Sequence, residues 1–213
     1  SMGAIVAMVF QFLSIVIITR YITKEEFGIY VLIIVISTFL DTISSLALEQ
    51  SLVKFISSAE DLERRSTFFP ILIIRIILIV AAAILMVLFG NSLMPLFNFT
   101  ATEFLYVIII LFILSSFRGL FYNLLQGMNL FKKYASVQTI TSLVRVALLL
   151  IIVYFHDLTL KNVLLVEIVA VTFTVLLQMA LIPYKDIFHW NVNFKDIKKI
   201  LNFSIPLYFS GIS

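Results

Sequence analysis

Arg75, Arg118 and Arg145 each interrupt a run of apolar residues, as in "ILIIRIILIV" over 71–80, and Asp41 interrupts another. A guanidinium stays charged at any physiological pH and grips carboxylates or phosphates through a planar fork of donors. Such a group is costly in hydrocarbon, so it faces a bundle interior, a wet cavity or a counter-charge. Around three of the four charges, polar residues recur at helical spacing. Ser37, Asp41 and Ser44 form one stripe; Ser115, Arg118, Tyr122 and Gln126 form a second; Gln138, Thr141, Ser142 and Arg145 form a third. Stripes of this kind face other helices or water, because lipid would leave their hydrogen bonds unmade. Arg75 has no stripe on its own segment. Three cations against Asp41 leave two positive charges in excess, the composition of an anion site. The competing expectations are a structural pair with Asp41 and snorkelling of the arginines toward headgroups. Glu167 is expected away from this belt, where its carboxyl would carry a coupling proton or cation, as Asp41 could too, or reach the headgroups. Glu49 is expected at the membrane interface.

The elements that must position these charges are long apolar helices. With 62% hydrophobic and 13% charged residues, a chain of 213 cannot hide its apolar surface from water as a soluble globule. Runs long enough to cross a bilayer occupy 3–19, 28–48, 67–89, 104–125, 137–155 and 162–182, and a seventh begins near Leu201 and is cut off at Ser213. The expected fold is therefore an all-α integral membrane protein. Residues 1–182 form a six-helix bundle, 183–200 a cytoplasmic linker, with 194–201 read either as an amphipathic helix on the membrane surface with Trp190 at the headgroups or as plain linker, and 201–213 the start of helix seven. Six and a half spans lead us to treat the chain as a fragment. Thr23 with Glu26 three residues on reads as a capping box opening the second helix.

Orientation follows from Lys and Arg, which favour cytoplasmic loops. The loops after spans two, four and six hold nine of them and those after spans one, three and five hold three, which places the N-terminus in the cytoplasm. The membrane-embedded charges then lie about 10–12 Å deep on the cytoplasmic side, at 1.5 Å per helical residue. His156 and His189 fall on opposite sides and cannot share a site. The sequence has no cysteine and no nucleophile, metal-binding or phosphate-loop pattern, so neither an enzyme nor a cofactor is expected. The small positive charge reflects topology; nucleic acid is not an expected partner.

Several stretches resemble the polysaccharide-biosynthesis transporters. "ITRYITKEEFGIYVLIIVISTFLDTISSLALEQSLVKFIS" is similar to their opening, where a loop of the kind R-x-L-G-P-E-E-F-G-x-Y is matched at Arg20, Glu25, Glu26, Phe27, Gly28 and Tyr30. Thr23 and Lys24 stand where Gly and Pro are commoner. "RGLFYNLLQGMNLFKKYASVQTITSLVR" resembles the family's connection between helices four and five, and "LNFSIPLYFSGIS" the start of helix seven, with Pro206 in its usual place. The superfamily also holds multidrug exporters and the lipid II flippase. The resemblance implies the first half of a two-bundle exporter of twelve to fourteen helices in the cell membrane. It also implies flipping of an undecaprenyl-diphosphate-linked oligosaccharide, with polymerase or other assembly proteins as partners besides membrane lipids. Arg75, Arg118 and Arg145 would hold the anionic headgroup, with Asp41, Tyr122, Gln126 and Gln138 beside them. A drug exporter of the same superfamily, a membrane enzyme acting on lipid-linked sugars and an assembly scaffold are the alternatives. An excess of base disfavours organic cations, and short external loops disfavour the enzyme.

Overall fold

The structure is a computed structural model that describes residues 2–58, 61–93, 103–155, 157–183 and 194–212. Eight α-helices account for nearly all of them: α1 (Met2–Tyr21), α2 (Lys24–Ser45), α3 (Leu48–Ser58), α4 (Asp61–Leu93), α5 (Glu103–Gly127), α6 (Phe131–Phe155), α7 (Leu160–Leu181) and α8 (Phe194–Ile212). No strand occurs among the described residues. Five stretches are long and apolar enough to cross a membrane: Lys24–Ser45, Phe68–Gly90, Phe104–Gly127, Phe131–Phe155 and Leu160–Leu181. The first expected span is also an apolar helix, but its stretch Ile5–Tyr21 is shorter than the other five. Large apolar side chains such as Phe12, Ile77, Leu88, Leu165 and Leu176 point outward, the surface of a protein solvated by lipid rather than water.

Local chemistry sets the helix ends. Thr23 Oγ1 accepts from the Glu26 amide at 3.2 Å and Glu26 Oε2 accepts from the Thr23 amide at 3.0 Å, which completes the capping box expected there. After α5 the chain closes with Leu130 N donating to Leu125 O and Asn129 N to Gln126 O, both at 2.9 Å. Asn129 takes φ 59°, a left-handed conformation that Asn tolerates at a helix end of this type.

Four boundaries differ from the expected ones. Span two does not run to residue 48: α2 stops at Ser45, and Leu46 and Ala47 turn the chain at φ 45° and 55°. The polar segment "EQSLVKFISSAEDLERRS", expected as a connection, is helical on both sides of residues 59–60, in α3 and the first turns of α4. Likewise α6 begins at Phe131 rather than 137. The amphipathic stretch and the seventh apolar stretch form one helix, α8, with Pro206 inside it. Trp190 and the rest of 184–193 lie outside the described residues, as does His156.

Packing divides the bundle into two apolar layers. One gathers Ile18, Ile33, Leu105, Ile108, Leu149 and Val163 at the end where α2, α5 and α7 meet α1, α4 and α6. The other gathers Leu48, Leu52, Ile56, Leu124, Leu125 and Ile200 at the opposite end, around α3, α5 and α8. Contact there is close. A Cβ on Gly127 would lie 3.3 Å from the Val53 Cα, so glycine lets the α3 and α5 backbones approach. Ser51 and Ser204 share a hydrogen bond of 2.6 Å between α3 and α8, and Lys54 Nζ lies 3.7 Å over the Phe203 ring. The ionisable groups discussed below occupy the level between the layers.

Candidate functional site

At that level α1, α2, α5, α6 and α7 enclose a cavity of about 410 Å³. Six of the eight residues singled out from the sequence line it: Asp41, Arg118, Tyr122, Gln138, Arg145 and Glu167. Gln126 is exposed and does not line it, and Arg75 lies behind its wall. Beside the six stand Gln11, Ser115, Asn123, Tyr134, Thr141, Ser142 and Thr174, an unusual density of amide, hydroxyl and aromatic groups for the inside of an apolar bundle.

Arg75 has no accessible surface. Its Nη1 donates to Ser44 Oγ at 3.2 Å, and its Nη2 bonds Asp41 Oδ1 and reaches Glu49 Oε1 at 3.4 Å. Asp41 Oδ1 also accepts from Ser116 Oγ at 2.6 Å, and Glu49 Oε2 from Asn123 Nδ2 at 3.1 Å. The left-handed turn at Leu46 and Ala47 makes this possible, because it folds α3 back so that Glu49 enters the bundle. Gly119 leaves room for it: a Cβ there would lie 2.8 Å from Glu49 Oε1. Glu49 lies on α3, outside the five spans, and burial raises its pKa; Asp41 pushes the same way, while Arg75 and Arg118 oppose.

A second ionic group forms between α6 and α7. Arg145 Nη2 lies 2.8 Å from Glu167 Oε2 and donates to the Tyr30 hydroxyl at 2.6 Å. Glu167 was expected away from the arginines, and the antiparallel packing of α6 against α7 explains the difference. Arg145 sits ten residues before the end of α6 and Glu167 seven after the start of α7, so the antiparallel pair meets.

These contacts correct the expected charge balance. Glu49 and Glu167 join Asp41, so three carboxylates face three arginines and the excess of two positive charges disappears. Arg118 differs from the other two. Among the described residues no carboxylate lies within ion-pair distance of it, while its backbone carbonyl accepts from Gln178 Nε2 at 3.3 Å. Its guanidinium borders the cavity with its donors available to a ligand. No cluster of His, Asp and Glu among the described residues is suited to a metal ion.

Sequence reasoning missed Tyr30, Asn123 and Tyr134. Tyr30 stood in the motif "EEFGIY" but was not given a role. Asn123 lies one turn past Gly119 on the face that α3 covers. Tyr134 fell in a segment read as a connection.

Comparison with curated proteins and with solved structures finds no match. The family model described as polysaccharide biosynthesis protein matches residues 1–213, the whole chain. The chain therefore belongs to the polysaccharide biosynthesis protein family, and its long apolar helices make it a multi-pass membrane protein of that family.

Proposed function

We propose that this chain forms one bundle of a transporter that moves a polyprenyl-diphosphate-linked oligosaccharide from the cytoplasmic to the outer leaflet. The observation that carries the reading is Arg118, a cation on the wall of a polar cavity with no carboxylate in ion-pair contact among the described residues. An arginine in that position is suited to a diphosphate, which it can grip with two parallel N–H donors in a medium that strengthens each of them. The lipid tail stays in the bilayer while the headgroup enters between the helices.

Arg145 supplies the second cation. A diphosphate bound to Arg118 would compete with Glu167 for it, and the released carboxylate would take up a proton or a coupling cation. Asp41 would remain on Arg75. Transport would proceed by alternating access, with this bundle rocking against a second. The N-terminus would be cytoplasmic, as the distribution of Lys and Arg indicates. The layer around Ile33, Ile108 and Val163 would then seal the outer end. An exporter of organic cations fits less well, because arginines already engage Asp41 and Glu167, the two carboxylates on the cavity wall.

The test is transport of a fluorescent polyprenyl-diphosphate oligosaccharide by the full-length protein in vesicles, read by a quencher that cannot cross the membrane. Arg118→Gln is expected to lower the rate by at least about tenfold, the loss of one charge-assisted contact, with no change in melting temperature. An unchanged rate would sink the anion-site reading.

A further inference from the structure

One wall of the cavity carries no formal charge. Tyr122 on α5 and Tyr134 on α6 line it together, their rings edge to face with centroids 5.0 Å apart. Gln138 stands one turn after Tyr134, and Thr141 borders the same space, as does Asn123, whose Nδ2 already donates to Glu49 Oε2 and Gly119 O and which offers its Oδ1 as an acceptor. This combination differs chemically from the Arg118 side. Aromatic rings offer apolar faces as well as a hydroxyl, and amides offer both donors and acceptors. A phosphate needs donors only. A sugar ring needs the mixture: its C–H face packs on an aromatic ring, and its hydroxyls give and take hydrogen bonds.

Charge balance narrows the class further. Arg145 is paired with Glu167 on the cavity wall, and Arg75 is paired with Asp41 and Glu49, which leaves Arg118 as the cavity-lining cation without a carboxylate in ion-pair contact among the described residues. Arg118 offers a site for one anionic headgroup, and among the described residues lining the cavity no second unpaired cation waits for an acidic sugar.

We infer that Tyr122, Tyr134, Gln138 and Asn123 form a subsite for an uncharged pyranose, the sugar attached directly to the diphosphate held by Arg118. This rests on the lipid-linked-saccharide reading above and adds to it which wall reads the glycan, and what class of sugar it accepts.

Binding by the purified full-length protein to three probes tests this: bare polyprenyl diphosphate, the same lipid carrying N-acetylglucosamine, and the same lipid carrying glucuronic acid. The N-acetylglucosamine lipid is expected to bind more tightly than the bare lipid and the glucuronic acid lipid. Tyr134→Leu and Gln138→Leu should each lose about tenfold for it, since a site built to bond hydroxyls loses strongly when a partner is removed. Both should leave the bare lipid within about twofold, within the range of rim contacts that carry little energy. Tyr122→Phe, which keeps the ring, should lose less than Tyr122→Leu, and this pair distinguishes stacking from a folding defect. Arg118→Gln should weaken all three probes alike. If Tyr134→Leu and Gln138→Leu weaken all three equally, or none, the sugar subsite is wrong while the anion site stands. Tighter binding of the glucuronic acid lipid overturns the assignment to an uncharged sugar. If Arg118→Gln changes nothing, the anion site itself has failed.

Discussion

Arg75 and Arg118 are the same residue on adjacent spans, and the bundle treats them in opposite ways. Arg75 is sealed from solvent and faces Ser44, Asp41 and Glu49. Arg118 borders an open cavity, and no described carboxylate lies in ion-pair contact with it. The first arginine holds α2, α3 and α4 together, and the second is free to meet a ligand. An intramembrane charge therefore takes its role from what the neighbouring helices bring to it.

The largest expected effect breaks the Arg75 side. Arg75→Met leaves the part-buried Asp41 and Glu49 without their fully buried cation, and removal of one partner from a buried pair costs up to about 3–5 kcal/mol. The variant should melt far below the parent in detergent. Arg118→Gln should melt with the parent and lose transport. Equal melting of the two variants would remove the contrast.

Water access sharpens the same comparison. The chain has no cysteine, so reporters can be placed singly wherever the full-length protein is otherwise cysteine-free. Arg118→Cys and Arg145→Cys should react with a membrane-impermeant thiol reagent from the cytoplasmic side. Ser44→Cys, beside Arg75 and buried at 6% exposure, should stay silent, as should Leu150→Cys on the lipid face. Labelling at Ser44→Cys would mean that the Arg75 cluster is wet.

Arg145 stands between the two cases, since it lines the cavity and is also paired with Glu167 at 2.8 Å. A double-mutant cycle with Arg145→Gln and Glu167→Gln should give a stability coupling of about 0.5–3 kcal/mol, the range for residues in contact. Ligand should shrink that coupling if the diphosphate takes Arg145 from Glu167. A coupling unmoved by saturating ligand would assign the pair to structure alone, as at Arg75.

Much of the arrangement was legible in the sequence, and the misses concern how the helices meet. Apolar runs located the helices, the Thr23–Glu26 pair marked a helix start, and the polar stripes picked out Asp41, Ser115, Arg118, Tyr122, Gln138, Thr141, Ser142 and Arg145, which share one cavity. Depth, however, was counted from the edges of apolar runs, and α6 extends six residues beyond its run through "FKKYAS". Arg145 was counted from the cytoplasmic end of its run and Glu167 from the outer end of its own, whereas from the ends they share the two lie ten and seven residues in and meet. Arg75 read as isolated because its partners lie on α2 and α3. The turn that delivers Glu49 uses Leu46 and Ala47 in left-handed geometry, at about 1–2 kcal/mol per residue, with no glycine to announce it. Tertiary packing imposes that turn; local preference does not.

Glu49 offers the smallest and most selective test. Its pKa is raised from 4.5 chiefly by burial, with Asp41 adding to the effect and Arg75 and Arg118 opposing it. A carboxyl that binds its proton more tightly folded than unfolded contributes stability that is complete below the unfolded value. The contribution is lost as pH rises through the folded one. The parent should therefore lose part of its stability as pH climbs from about 4.5 toward neutrality, through this group. Glu49→Gln, which keeps the shape and the contact with Asn123 without the charge, should flatten that slope and melt close to the parent at acid pH. Gln at this position leaves Arg75 with Asp41 alone, so the cluster stays neutral. A steeper slope in the variant would mean that the charged carboxylate, not the protonated one, belongs to the folded state. In that case the Arg75 cluster would need both of its acids ionised, and its separation from the cavity would be electrostatic as well as steric.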